Sequence, residues 1–268
     1  MQFRRLKILM TMLFIFLDVF LFFWWRSNQR PSIKVTDANA NIISEIKNQK
    51  IKVANFSTSV TYASYLAGKR SNSLMSTIDK LSNFNANINN QTLYVTFNKT
   101  SQLGRGNTSS SSSSGKKAAA DDVEASKIAR NAGYRYNPIL SKVNVKNRVT
   151  YSQYIDNLPV IAKQGLMIFN KDKDRKVTDF TQTKITKVTV LRDERATITE
   201  EAAIVALYKF NELNSGDKLS KGALSYDTSV KVNGYDIYLP VWVFVVTHAN
   251  GSTGILKINA FTSGNLSE

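Results

Sequence analysis

The longest apolar run in the chain covers residues 8–25, ILMTMLFIFLDVFLFFWW, and contains a single charged residue, Asp18. A run of this length is near the minimum that crosses a bilayer as a helix. The basic segment RRLK precedes it, and by the positive-inside rule such cations stay in the cytoplasm. The pattern therefore predicts a cytoplasmic tail over 1–7, a transmembrane helix over 8–25 and an extracytoplasmic remainder.

A cleaved signal peptide also starts with basic residues followed by an apolar run. Here no small-x-small cleavage site follows Trp25, because the next residues are RSNQRPS, and the run is long and aromatic. These two features favour an uncleaved signal anchor, with Trp24 and Trp25 at the outer membrane interface.

The segment after the anchor, 26–100, alternates between helical and strand periods of apolar residues, which predicts a small α+β unit near the lower size limit for independent folding. Its predicted elements are helices over 37–47 and 74–81 and strands at 51–54, 60–66 and 93–97. Residues 101–119 include the low-complexity sequence GRGNTSSSSSSGKK. Such a composition buries nothing, so we interpret this segment as a flexible linker or a long loop.

The pattern over 120–268 predicts a C-terminal α+β domain in which a helix lies on antiparallel strands. Its predicted elements are helices at 121–131 and 200–213 and strands at 143–145, 149–155, 166–169, 177–191, 223–232, 239–247 and 254–261. Thr197 or Thr199 can cap the second helix, and Thr197 has capping-box spacing to Glu200. The run LPVWVFVV is apolar on both faces, which indicates a central strand. The predicted core residues are Leu207, Phe210, Leu213, Trp242, Phe244 and Phe261.

The composition narrows the chemistry. The formal net charge is +16 and there is no cysteine, which excludes disulfides, thiol catalysis and cysteine-based zinc sites. The predicted topology places the basic region outside the cell, so nucleic acid is not the expected partner. The cations are either solvated surface residues or contacts for anionic lipid headgroups or anionic wall polymers.

Groups suited to catalysis are sparse along the chain. His248 is the only histidine, and there is no G-x-S-x-G nucleophile elbow. The neighbours Glu200 and Glu201 point about 100° apart on a helix, which suits the helix dipole better than acid–base catalysis. The acids of KDKDRK lack calcium-ligand spacing. We therefore predict no catalytic, cofactor or metal site.

Three C-terminal segments, TITEEAAIVALYKFNEL, LPVWVFVV and ILKINAFTSGNL, resemble the end of the YycI family. The apolar LFIFLDVFLFF is similar to the single span of that family, and TYSQYIDNLPVIAKQGLMIFNKDKDRKVTDFTQTKI is similar to its hairpin segment. The resemblance covers the span and residues 120–268. It implies an extracytoplasmic fold of helices on antiparallel sheets, partly like a PepSY or cystatin-like unit.

The resemblance also implies a function without catalysis. Proteins of this family are membrane-anchored regulators of the WalK sensor histidine kinase in Gram-positive bacteria, acting with a YycH-like sister protein in cell-wall-related signalling. An alternative from another class stays open, namely a membrane-anchored wall-active enzyme or a PepSY-like inhibitor of one. A cleft with a perturbed acid or base would favour the enzyme, and an apolar or aromatic patch would favour the regulator.

Asp18 is the unusual residue of the predicted span. A carboxylate near mid-bilayer costs roughly 2.5–3.5 kcal/mol on the insertion scale. It is either tolerated passively, by protonation or nearby water, or it hydrogen-bonds a partner's transmembrane helix. On a helix, four apolar residues spaced three or four positions from Asp18 share its side, and together they are the predicted partner-contact face: Phe14, Leu17, Leu21 and Phe22.

Overall fold

A computed structural model gives the fold of the chain, whose described residues are 2–28, 33–71, 74–79, 81, 83–98, 121–143, 147–174 and 176–267. The predicted linker or loop over 101–119 lies outside them. The chain divides into two compact units, Met1–Glu45 and Ile46–Glu268.

The first unit is helical. Helix α1 spans Gln2–Asn28, and α2 spans Ile33–Asn48, so α2 starts before the predicted 37–47 and ends in the second unit. Among the residues that the structure describes, no helix is both long enough and apolar enough to cross a membrane. The transmembrane segment over 8–25 lies within α1 and stays a prediction.

The second unit is a mixed α+β structure dominated by sheets, as the α+β interpretation expected. Its helices are α3 (Asp121–Asn131), α4 (Pro138–Val143) and α5 (Glu200–Lys209), with 3-10 turns at Met75–Thr77 and Lys163–Gly165. Its first strands are β1 (Lys52–Val53), β2 (Tyr62–Ala63), β3 (Leu66–Arg70), β4 (Phe84–Asn89), β5 (Thr92–Phe97), β6 (Arg135–Tyr136), β7 (Arg148–Ser152), β8 (Tyr154–Ile155) and β9 (Leu158–Pro159). The remaining strands are β10 (Leu166–Lys171), β11 (Val177–Gln182), β12 (Ile185–Val190), β13 (Arg195–Ala196), β14 (Lys218–Leu219), β15 (Ala223–Val232), β16 (Tyr235–Thr247) and β17 (Thr253–Asn259).

Sheet I is built around β16, which is the strand predicted to be central. One edge of β16 pairs with β15 and then β14, and the other edge pairs with β3 and then β17. Strands β1 and β12 extend the sheet beyond β14 and β3. The β15–β16 hairpin turns at Asn233-Gly234, where both residues have positive φ (50° and 79°), as a tight type I′ turn requires.

Sheet II has the order β4-β5-β11-β10-β7-β6, and all its pairings are antiparallel. Phe169 and Phe180 are fully buried on it with ring centroids 5.2 Å apart, and α3 contributes Ala125 and Ala129 to the same core. Strands β7, β10 and β11 form part of the meander expected from the alternating pattern, whereas the run predicted at 177–191 is divided between β11 of sheet II and β12 of sheet I. Helix α3 matches the helix predicted at 121–131.

The two predicted outer units are in fact one. Strand β5 pairs with β11, and β1 pairs with β14, so segments before and after 101–119 contribute to both sheets. The division into 26–100 and 120–268 is therefore wrong, because the strands of the first segment find their partners in the second.

The two faces of β16 are both covered. Leu239, Val241 and Val243 pack against α4 and the segment around Ile161. On the other face, the Trp242 indole donates a hydrogen bond of 2.9 Å to the carbonyl of Ile198, just before α5. Of the predicted core residues, Leu207, Leu213, Trp242 and Phe244 are buried, and Phe261 is half-buried.

The prediction that Phe210 is a core residue is wrong, since its side chain is 48% exposed. Helix α5 ends at Lys209, Phe210 is the residue that caps its C-terminus, and Asn211 follows with a φ of 59°. The apolar face therefore ends one turn before the predicted end at Leu213, and Leu213 reaches the core from the following loop.

Helix α4 includes Val143, where the strand predicted at 143–145 would begin, and residues 144 and 145 lie outside the described residues. Asn137 caps it, because its side-chain oxygen accepts from the N–H groups of Ile139 (3.1 Å) and Leu140 (3.0 Å). Pro138 occupies the first helical position, where its missing N–H costs nothing. The Asn-Pro pair was the available signal for this helix.

Candidate functional site

The only histidine lies at the end of β16 and is held by a carboxylate. His248 Nδ1 is 3.1 Å from Oδ1 of Asp217, whose side chain is almost fully buried, whereas the imidazole is about one-third exposed. The Asp217 carboxylate also accepts a hydrogen bond from the backbone N–H of Asn214. The backbone carbonyl of Asp217 accepts one from the N–H of Lys52. The pair joins the turn after α5 to the ends of β16 and β1.

This pair resembles two parts of a catalytic triad. A nucleophilic serine or threonine would have to hydrogen-bond the imidazole to complete it. None of the described hydroxyl groups does so. Within the described residues, no group of histidine and carboxylate side chains is arranged to hold a metal ion either. The geometry accounts for Asp217 and His248 as structural partners.

Glu200 has a role that its sequence pattern did not indicate. Its side chain is fully buried, and its carboxylate accepts from the N–H of Ser57 at 2.9 Å and from the N–H of Gly222 at 2.6 Å. The expected capping box with Thr197 is absent: Thr199 caps α5 by accepting from the N–H of Ala202, and Thr197 donates to the carbonyl of Thr61. Glu200 therefore fastens two loops to the start of α5.

A third buried carboxylate joins β16 to its neighbour β3 within sheet I. Arg70 on β3 donates through Nε and a terminal nitrogen to the two oxygens of Asp236 on β16, at 2.7 and 3.1 Å. This bidentate hydrogen bond with Asp236 raises the pKa of the Arg70 guanidinium. Nearby, burial raises the pKa of the Tyr238 phenol. The Arg70–Asp236 ion pair is the one of these two features that links β3 to β16.

The charges of the second unit are segregated by sign. Glu200, Asp217 and Asp236 are all buried, whereas the described buried residues include no lysine or arginine. These three acids are thus occupied by internal hydrogen bonds, and the described lysines and arginines are at least partly exposed. The surface is more basic than the formal charge alone indicates, which is the property that attracts anionic surfaces.

A cleft of about 720 Å³ lies on the α4 face of sheet I. Its apolar lining consists of Leu140, Ile161, Ala162, Leu239, Ile255 and Leu266. Its polar lining consists of Lys163, Gln164, Asp227, Thr228, Ser229 and Lys257. Lys257 and Asp227 form an ion pair of 3.1 Å, and Thr228 donates to Gln164 at 3.0 Å. An apolar floor with a polar rim suits an amphiphilic ligand or a peptide segment better than acid–base chemistry.

The predicted partner-contact face lies on α1. Because α1 is a continuous helix, Asp18 and its neighbours at three- and four-residue spacing share one side. The apolar members are Phe14 (63% exposed), Leu17 (47%), Leu21 (45%) and Phe22 (54%). The structure thus places these five residues on one side of α1, as the spacing requires.

Sequence reasoning missed the partners of His248, Glu200 and Arg70 and the cleft. Asp217 is 31 residues from His248, and Asp236 is 166 residues from Arg70 along the chain. No local pattern joins residues so distant. The turn sequence NSGD, in which an aspartate caps its own loop, was the one available signal for Asp217.

Comparison with known proteins gives one family. The sequence model described as YycI protein matches residues 29–261. Among curated proteins, none matches the chain. A solved structure, described as an uncharacterized protein from Eubacterium rectale ATCC 33656, is similar with a TM-score of 0.47 and 10% identity, over 81% of this chain and 90% of that one.

Proposed function

The chain belongs to the YycI family of accessory regulatory proteins of the YycG/WalK two-component system, and on that premise we propose that it is a non-catalytic, membrane-anchored regulator that binds the sensor histidine kinase. A YycH-like sister protein is the second proposed partner. The match over residues 29–261 is the observation that carries this proposal, because it extends over both sheets. The structural roles of Glu200, Asp217 and Asp236 support a function without catalysis, since each carboxylate is occupied by internal partners.

The proposed anchor is residues 8–25, with the N-terminus in the cytoplasm and the second unit outside the cell. The described apolar side chains of α1 between Ile8 and Phe22 are all highly exposed, on every side of the helix. An exposed apolar surface of this extent is a liability in water and suits hydrocarbon. A reporter that is active only in the cytoplasm, fused after Glu268, should be silent, and strong activity would overturn this orientation.

The proposed kinase contact within the membrane is the α1 face centred on Asp18. In an apolar medium, a hydrogen bond from Asp18 to a partner helix contributes on the order of 1 kcal/mol and fixes which face is presented. The four apolar neighbours would then pack against the partner. Asp18→Leu should therefore raise insertion efficiency and weaken the complex. Val19→Leu, about 100° away on the helix, should change neither.

The test is photo-crosslinking in intact membranes followed by purification of the tagged chain. A photoreactive residue replaces Leu17 or Leu21, and the crosslinked proteins are identified by mass spectrometry. We expect a sensor histidine kinase and a YycH-like protein, both reduced in Asp18→Leu and unchanged in Val19→Leu. Recovery of neither protein above the level seen with an unrelated single-span protein would refute the proposed function. Unchanged recovery with Asp18→Leu would refute only the Asp18 contact.

A further inference from the structure

Five exposed lysines come together at one edge of the second unit: Lys47, Lys50, Lys52, Lys209 and Lys218. We call this group the basic edge. Lys52 on β1 and Lys218 on β14 are directly paired in parallel register, so their side chains leave the same face of sheet I. Like charges in such a pair are destabilising. An anion from outside the chain would relieve the repulsion between these two lysines.

Hydrogen bonds connect the members of the basic edge. Gln49, between Lys47 and Lys50, donates at 2.6 Å to the hydroxyl of Tyr208, which immediately precedes Lys209. The Ser215 hydroxyl donates at 2.8 Å to the carbonyl of Gln49, three residues before Lys218. The end of α2, the end of α5 and the β1–β14 pair thus form one surface.

The acid beside Lys218 in the chain does not pair with this surface. Asp217 is next to Lys218 in the chain, but its carboxylate is buried and accepts from Asn214 and contacts His248. None of the five lysines forms an ion pair with a described carboxylate. The basic edge is thus a concentrated positive surface.

The exposed aromatic ring of Phe210 lies beside these cations. It directly follows Lys209 at the end of α5 and is 48% exposed. A ring in this position gains nothing from a phosphate polymer in water. Next to a bilayer, it can enter the boundary between headgroups and acyl chains while the lysines contact phosphates.

We propose that the basic edge and Phe210 dock onto the anionic phospholipid headgroups of the bilayer that anchors the chain. The proposal rests on the anchoring part of the proposed function and is independent of the kinase. Lys47 follows the last residue of α1, Asn28, by nineteen positions, so the α2 end of the basic edge belongs to the part of the second unit that is nearest to the anchor in sequence. Docking would restrain the outer unit on the membrane surface.

The test uses the full chain in lipid nanodiscs. Because the chain has no cysteine, Phe210→Cys carries a single environment-sensitive fluorophore. Emission is compared between discs of phosphatidylcholine and discs of phosphatidylglycerol. The matched control probe is Val232→Cys, at an apolar position that is similarly exposed (47%) on the β15–β16 hairpin. We expect a blue shift at position 210 in phosphatidylglycerol only, which high salt removes.

Charge variants measure the contribution of the lysines. Near an anionic surface each lysine contributes about fivefold to binding, so Lys52→Ala with Lys218→Ala should lower the ratio of docked to undocked chain on the order of twentyfold. Lys142→Ala with Lys231→Ala, two exposed lysines elsewhere, should leave the ratio near that of the parent. Equal losses in both pairs would overturn the proposal, since the basic edge would then have no special role.

Two further outcomes would contradict the docking surface. Equal emission of the position-210 probe in both lipids would show that the ring does not meet the bilayer. The same blue shift on adding soluble polyglycerol phosphate to phosphatidylcholine discs would assign the site to a phosphate polymer instead of the membrane. Failure of the chain to enter phosphatidylcholine discs at all would refute the anchor, and emission after mixing with phosphatidylglycerol vesicles would still decide the docking.

Discussion

Replacing Glu200 with glutamine tests the account of the buried polar groups most sharply. The carboxylate accepts two backbone hydrogen bonds, from Ser57 and from Gly222, at a fully buried position. Glutamine keeps one acceptor oxygen and points an amide N–H₂ at the second backbone donor. The variant therefore loses a hydrogen bond to a charged group and leaves one backbone N–H unpaired. The expected loss in free energy of unfolding is about 2–4 kcal/mol.

Glu201→Gln is the matched control because it makes the same chemical change one residue later. Glu201 is in the first turn of α5 and half-buried, so its removal should cost only the dipole contribution, about 0.3–1 kcal/mol. The difference between the two variants isolates the two backbone hydrogen bonds.

The assay is urea unfolding of the full chain in mild detergent, in a background with Trp24→Phe and Trp25→Phe. Trp242 is then the only tryptophan, and its indole is bonded to Ile198 at the start of α5, so its fluorescence reports the region that Glu200 holds. Free energies follow from linear extrapolation. A loss in Glu200→Gln within about 0.5 kcal/mol of that in Glu201→Gln would refute the reasoning.

The remaining predictions concern packing, an ion pair and a buried phenol. Leu207→Ala should cost about 2–5 kcal/mol in urea melts and Phe210→Ala under about 1 kcal/mol, because only the first side chain is buried; similar losses would contradict the observed helix end. Arg70→Ala leaves the Asp236 carboxylate buried and unpaired and should lower the free energy of unfolding by about 3–5 kcal/mol. Lys257→Ala breaks a partly exposed ion pair and should lower it by at most about 1 kcal/mol. Equal losses in the two variants would contradict the burial argument. Burial raises the pKa of the Tyr134 phenol above its usual 10.0. Above pH 10 the phenol therefore ionises in the unfolded chain before it ionises in the folded chain. The stability that the buried neutral phenol contributes is complete below pH 10 and is lost as the pH rises above it. Above pH 10, Tyr134→Phe should therefore lose stability less steeply than the parent chain, by up to about 1.4 kcal/mol per pH unit, and identical slopes would refute the assignment.

The elements of the second unit that depend on local pattern were predictable from the sequence. The start of α5 follows from a threonine cap and two acids in the first turn, and the central place of β16 follows from an apolar run on both faces. The meander of sheet II follows from alternation. In each case the signal lies within a few residues of the element.

The parts that failed depend on contacts between distant segments. Phe210 continues the helical spacing of Leu207, but the backbone leaves the helix at that residue, so periodicity alone extended the helix too far. The strand predicted at 60–66 stops short of Gly68, yet Gly68 lies within β3, where a side chain would collide with Ile185. The joining of strands across 101–119 is likewise a matter of partner choice, which alternation does not encode.

The most direct test of the central claim is the autophosphorylation rate of the purified sensor kinase in proteoliposomes, with and without this chain. If the chain is a regulator that acts through α1, an excess of it changes the rate. Asp18→Leu should return the rate toward that of the kinase alone, whereas Val19→Leu should act like the parent chain. An unchanged rate, with both proteins shown to be in the same vesicles, would contradict the account.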